Sequence, residues 1–138
     1  MVIHPGQVVT LYCDFLRGSP NTKYLLVACI KPQPILFIIN SKVSLFVQTR
    51  TILLEGQVKI EQSLHPFLKH DSWLDCAQVC LEFTSEEIEA QLSNGLGKIQ
   101  GEIHESLREI IRERVEESRT IERRFQKQIL DSWPMPKK

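Results

Sequence analysis

The stretch Lys69-His70-Asp71-Ser72-Trp73-Leu74-Asp75-Cys76-Ala77-Gln78-Val79 concentrates the side chains of this sequence that could do chemistry. It brings together a cation, an imidazole, two carboxylates, a hydroxyl and an indole, and runs into an apolar segment. Loops carried on rigid elements are where binding and catalytic groups tend to sit. An imidazole changes protonation near neutral pH, so His70 is the natural proton carrier of the set. Plainer readings stand beside this one. Asp71-Ser72 forms a side-chain-capped turn in many proteins, and His65 and His70 both read as ordinary surface-loop histidines.

The elements that must position this loop are mostly strands. Gln7 to Leu16 is rich in Val, Thr, Leu, Tyr and Phe, which suits a pleated surface. Gly18-Ser19-Pro20-Asn21 is a turn signal. Tyr24 to Ile30 and Ile35 to Ile39 are nearly continuous apolar runs, the mark of central strands buried on both faces. Pro32-Gln33-Pro34 separates them, because proline donates nothing to a ladder. Residues 42–55 read as an irregular excursion with some strand, Gln57 to Gln62 as a strand, and Cys76 to Phe83 as another. Thr84-Ser85-Glu86-Glu87 is a capping box that opens a short helix from Glu86 to about Ser93, stopped by Asn94-Gly95. A second helix is expected from about Gly97, with Ile99, Ile103, Leu107, Ile111 and Val115 as an apolar stripe. Ile121, Phe125 and Ile129 restart the stripe on another face, so the helix either finds a new partner or breaks near Ser118.

The chain has 138 residues, enough for one domain with a real core. Its 17 basic and 17 acidic residues balance, so bulk charge points to no acidic partner, nucleic acid or membrane; a local basic patch stays open. No apolar run reaches the length of a membrane span, and the first residues lack the pattern of a signal peptide. Cys13, Cys29, Cys76 and Cys80 read as reduced core thiols of a cytoplasmic protein. Cys76 and Cys80 have no second Cys/His pair at finger spacing, and neither a metal nor another cofactor is expected. Strands followed by helices in a chain of this size predict a mainly β protein with C-terminal helices, its strands closing into a small barrel or bent sheet.

This order of elements resembles the MazF/PemK family of toxin ribonucleases. The likeness runs through Pro5-Gly6-Gln7-Val8-Val9, Asn21-Thr22-Lys23-Tyr24-Leu25-Leu26-Val27, Pro34 to Ser41, the His70 to Val79 stretch and the stripe from Ile99 to Val115. Collinear order carries it rather than any one motif, over roughly residues 3–115. The resemblance implies an SH3-like barrel with appended helices over residues 1–117, a charged helical extension over 118–138, and a homodimer. It implies cleavage of single-stranded RNA without a metal, by attack of the ribose 2′-hydroxyl, and an antitoxin peptide as partner. The family's arginine falls on Lys23, the proline after it on Tyr24, and its threonine on Ser41, or on Asn40 if the register slips by one.

Such cleavage needs a base for the 2′-hydroxyl, a cation for the phosphorane and a proton for the leaving oxygen. Through the resemblance, Lys23 and Ser41 are the catalytic candidates, as cation and as hydrogen-bond donor to phosphate. Lys69, His70, Asp71, Ser72 and Gln78 are candidates for holding RNA, and Tyr24 or Trp73 for stacking on a base. A lysine is a compact charge rather than a bidentate fork, so Lys23 is no simple equivalent of an arginine. Each has a structural alternative: Lys23 as a solvated strand-end charge, Ser41 as a turn residue, Trp73 as core. Three hypotheses follow: a ribonuclease, a catalytically inactive barrel module that binds RNA or a protein partner, and an assembly protein worked by its charged C-terminal helix.

Overall fold

Apolar runs that read as strands form the centre of a six-stranded antiparallel sheet in the computed structural model, which describes residues 3–15 and 21–135. The strands are β1 (Gln7–Cys13), β2 (Asn21–Cys29), β3 (Ile35–Asn40), β4 (Gln57–Ile60), β5 (Ser72–Asp75) and β6 (Lys98–Glu102). Their order across the sheet is β4-β5-β3-β2-β1-β6. Among the described residues, five α-helices accompany them: α1 (Leu45–Gln48), α2 (Thr51–Leu54), α3 (Ser85–Asn94), α4 (Arg108–Glu116) and α5 (Arg123–Ser132). The fold is therefore mixed α and β, and β4 and β6 stand at opposite ends of an open strand order.

Strand alternation explains why β2 from Leu25 onward and β3 up to Ile39 are continuously apolar. Leu26, Ala28, Phe37 and Ile39 enter one core cluster, while Leu25, Val27 and Leu36 enter another on the opposite face. The first cluster takes Ile111 and Val115 from α4, and Phe125 and Ile129 from α5. Ile121 and Trp133 complete this packing, and the Trp133 indole donates to the Arg108 carbonyl at 2.9 Å. The segment 118–135 is thus bound into the main core by its apolar face and exposes its charged one. The second cluster is covered by Cys80, Phe83 and Ile88.

The Thr84 capping box forms as expected, with Glu87 N donating to the Thr84 hydroxyl and the Glu87 carboxylate accepting from Thr84 N. Gly95 ends α3 at φ 86°, a left-handed conformation that favours glycine. The helical stripe breaks near Ser118, and α5 begins afresh at Arg123.

Several elements differ from the sequence expectation. Residues 42–55 hold no strand; they form α1 and α2, neither of which buries a residue. Residues 76–83 form no strand beyond a single bridge between Leu36 and Cys80. The strand comes earlier, as β5, and Cys76, Ala77, Cys80 and Phe83 after it are buried as an irregular cover, while Leu81 is exposed. The helix expected from Gly97 is instead β6, paired with β1, and α4 starts only at Arg108. The four-residue spacing of Ile99 and Ile103 imitates a helix, yet Ile99 packs on the second cluster and Ile103 on the first. Gly97 and Gly101 weaken a helix there and suit close approach to the sheet. The Gly18-Ser19-Pro20 turn and the Lys137-Lys138 tail lie outside the described residues.

All four cysteines are free and buried. Burial pushes the Cys13 thiol up to about 11, and moves Cys76 and Cys80 in the same direction. These thiols stay protonated and inert near neutral pH.

Ile129→Ala removes a fully buried side chain beneath α5 and is expected to cost about 2–5 kcal/mol in chemical denaturation. Leu45→Ala, at 74% exposure on α1, is expected to change stability by less than about 0.5 kcal/mol.

Candidate functional site

The loop between β4 and β5, residues 61–71, carries Lys69 and His70, and buried contacts set its path. A Cβ on Gly101 would meet Phe67 ring carbons at 3.0 Å, so the ring lies directly on the β6 backbone. The Tyr24 hydroxyl donates to the Phe67 carbonyl at 3.1 Å. Leu68 turns into the first core cluster. Asp71 closes the loop by accepting from Gln62 N at 2.8 Å, and its second oxygen lies 3.6 Å from Lys59 Nζ.

His65 is not the surface histidine expected from the sequence; it is fully buried. Its Nδ1 faces the Glu61 carbonyl at 2.8 Å. A carbonyl only accepts, so Nδ1 carries the proton. Nε2 then offers its lone pair to His104 N at 2.9 Å. Both ring nitrogens of a neutral imidazole are satisfied, which resolves the cost of burying it.

A pocket of about 170 Å³ opens where this loop meets the ends of β2 and β3. Ile39 and Leu68 supply its apolar floor, and Tyr24, Ser41, Lys69, His70 and Ser72 supply its polar wall, with Thr22 and Lys23 at the margin. His70 Nδ1 lies 2.8 Å from the Asp71 carbonyl, so it too must donate there, leaving Nε2 as the acceptor. The Ser72 hydroxyl donates to the His70 carbonyl at 3.3 Å. Lys69, His70 and Ser41 are exposed, so a ligand reaches them from solvent. The site offers one proton acceptor, one cation and hydroxyl donors above an apolar floor.

Six of the eight residues singled out in the sequence line this pocket, but not all are equivalent. Lys23 lies between Thr22 and Tyr24 on β2, and alternation sends its side chain to the opposite face with Leu25 and Val27. Its charge acts there on Cys13, opposing the upward push of burial on that thiol. The Tyr24 ring is half-buried against the first cluster and its hydroxyl is committed to the loop, so it braces the pocket. Asp71 ties the loop ends rather than lining the pocket. Gln78 is exposed beyond β5 and outside the pocket wall. Trp73 is half-buried and alternates away from Ser72 and Leu74. Sequence reading missed Thr22 and the buried role of His65; a strict alternation through β2 would have paired Thr22 with Tyr24.

A second cavity, of about 220 Å³, lies beside Gly56 and Ala77, where Arg119 pairs with Glu55 at 2.9 Å and Arg114 stands near Glu117 on the same wall. Its charges are mixed, and it holds neither an imidazole nor a thiol. Among the described residues, no group of three His, Cys, Asp or Glu side chains is placed to hold a metal ion, and no helix is long and apolar enough to cross a membrane.

No protein-family model matches the chain, and a search of curated proteins finds no match either. Its own residues must therefore carry any functional reading.

Tyr24→Phe removes the hydroxyl bound to Phe67 and is expected to cost about 1 kcal/mol. Amide exchange should quicken in residues 65–71 and stay unchanged in β1.

Proposed function

We propose that this chain is a MazF/PemK-like endoribonuclease acting on single-stranded RNA without a metal, with its site in the pocket formed by Tyr24, Ser41, Lys69, His70 and Ser72. The observation that carries this reading is the convergence of an imidazole with a free Nε2, a lysine and a serine on one solvent-open pocket. His70 Nε2 takes the proton of the ribose 2′-hydroxyl, and the freed oxygen attacks phosphorus. The Lys69 ammonium and the Ser41 hydroxyl stabilise negative charge on the phosphorane. The bond to the 5′-oxygen breaks, that oxygen takes a proton from solvent, and a 2′,3′-cyclic phosphate remains. Lys69 supplies the cation here, because the Lys23 side chain alternates to the other face.

The sheet is read as an opened form of the SH3-like barrel, with its two faces covered by α4 and α5 on one side and by α3 and the 76–83 segment on the other. A cytoplasmic homodimer and an antitoxin peptide belong to the same proposal. Leu45, Phe46, Ile52 and Leu54 expose apolar surface that suits association.

The position of Lys23 favours a second reading, in which the pocket binds RNA or a protein partner without cutting. The test is incubation of long single-stranded RNA, in chelator, with wild type and with His70→Ala, Lys69→Ala, Ser41→Ala and Lys23→Ala. Ribonuclease action predicts cyclic-phosphate ends from wild type, a loss of about 10²–10⁴-fold with His70→Ala, and clear losses with Lys69→Ala and Ser41→Ala. Lys23→Ala should cut at close to the wild-type rate. RNA that is bound but left intact by wild type would select the binding reading, and RNA neither bound nor cut would overturn both.

A further inference from the structure

The fully buried His65 is a linchpin that neither the proposed chemistry nor the sequence reading uses. It joins three parts of the chain. Its Nδ1–H donates to Glu61 at the start of the loop, and its Nε2 accepts from His104 N, just after β6. Its ring meets Phe67 edge-on, with centroids 5.8 Å apart. Phe67 in turn rests on Gly101 and receives the Tyr24 hydroxyl at its carbonyl. Lys69 and His70 follow two and three residues further on. The loop that carries the proposed base is therefore docked onto β6 through a neutral imidazole.

We infer that His65 is a positioning residue and a proton-operated latch: neutral, it docks residues 61–71 onto the end of β6 and forms the pocket, and protonated, it releases them. The reason is geometric. Nε2 must accept from the His104 backbone N–H, and a proton on Nε2 would set donor against donor at 2.9 Å. The buried ring has no second orientation that keeps both bonds, since the Glu61 carbonyl requires a donor at Nδ1.

The neighbouring charges are few. His104, with its ring centroid 6.3 Å away, opposes protonation; Glu61 favours it. Desolvation outweighs the Glu61 contributions and pushes the His65 pKa below its ordinary value of 6.5. With the loop released, the imidazole returns to water and to that ordinary value. Above about 6.5 both states are neutral, and the docked loop has its full stability. As pH falls below that value the released state takes the proton first, so docking weakens in the acid direction.

The latch is inferred from contacts alone; its consequence for RNA rests on the ribonuclease reading. The test is amide hydrogen exchange of the wild-type chain between about pH 8 and about pH 4.5, corrected for the intrinsic pH dependence of exchange. His104 N and the amides of residues 66–71 are expected to lose protection together, by up to about tenfold per pH unit below the ordinary histidine value. Leu26, paired with Phe37 at the sheet centre, should stay protected. His65→Gln keeps an acceptor that cannot titrate, and its loop should show weaker protection with no acid dependence. His104→Asn keeps the backbone donor while removing the neighbouring imidazole, and its loop should still lose protection in acid.

Constant wild-type protection of His104 N across this range would overturn the latch, as would an acid loss that persists in His65→Gln. If that variant folds poorly, the wild-type profile still decides, read with the ¹⁵N shifts of the His65 ring. These must report a proton on Nδ1 at neutral pH; a proton on Nε2 would contradict the assignment. A non-cleavable 2′-deoxy oligonucleotide, added in parallel, separates the two claims. Acid-dependent exchange without oligonucleotide binding at any pH would sink the RNA reading and support the latch.

Discussion

Phe67 lies on Gly101 with no side chain between ring and backbone, and the position of the chemistry-bearing loop follows from that contact. The close approach lets His65 reach His104 N and brings the Phe67 carbonyl to the Tyr24 hydroxyl. Magnitudes indicate which contacts matter. The Lys59–Asp71 pair at the loop's end is about half exposed on both sides, so it contributes only about 0–1 kcal/mol. Breaking a buried hydrogen bond and stranding its partner costs about 1–3 kcal/mol. The loop is thus held from beneath by polar bonds inside an apolar seat, and its outer face remains free to carry Lys69 and His70 toward solvent.

That arrangement depends on a sheet whose central strands are buried on both faces. β2 gives Leu26 and Ala28 to one cluster and Leu25 and Val27 to the other. Its leading end leaves this double burial, and there Thr22, Lys23 and Tyr24 border the pocket, with alternation turning the Lys23 side chain toward the other face. The same alternation that builds the core sorts the polar residues at the strand's end. Helices α4 and α5 secure the first face, so the charged C-terminal segment also serves as core cover.

Much of this was legible in the sequence, for identifiable reasons. Continuous apolar runs located β2 and β3, and the Thr84–Glu87 capping box located α3, because these signals are local. β6 was not legible: Ile99 and Ile103 stand four apart, and they serve opposite faces because the register with β1 shifts between Val8 and Val9. The apolar 76–83 segment resembles a strand because burial, rather than pairing, selected its residues. The grouping of Lys69, His70 and Ser72 was legible by residue type, and all three line one pocket. The direction of Lys23 was not, since a single step along a strand reverses the face. His65 and His70 looked alike in sequence and differ entirely in burial, because His65 packs on Phe67 and bonds to His104 N, far along the chain.

The central claim is that the pocket of His70, Lys69 and Ser41 receives RNA, on the face opposite the Lys23 side chain. Its most direct measurement is an NMR titration of the isotope-labelled protein with a non-cleavable single-stranded oligonucleotide. The account predicts shifts centred on Ser41, residues 68–72 and the His70 ring, with Tyr24 moved and the Cys13 and Val27 face still. Shifts centred on that opposite face, or no shifts at saturating oligonucleotide, would contradict it.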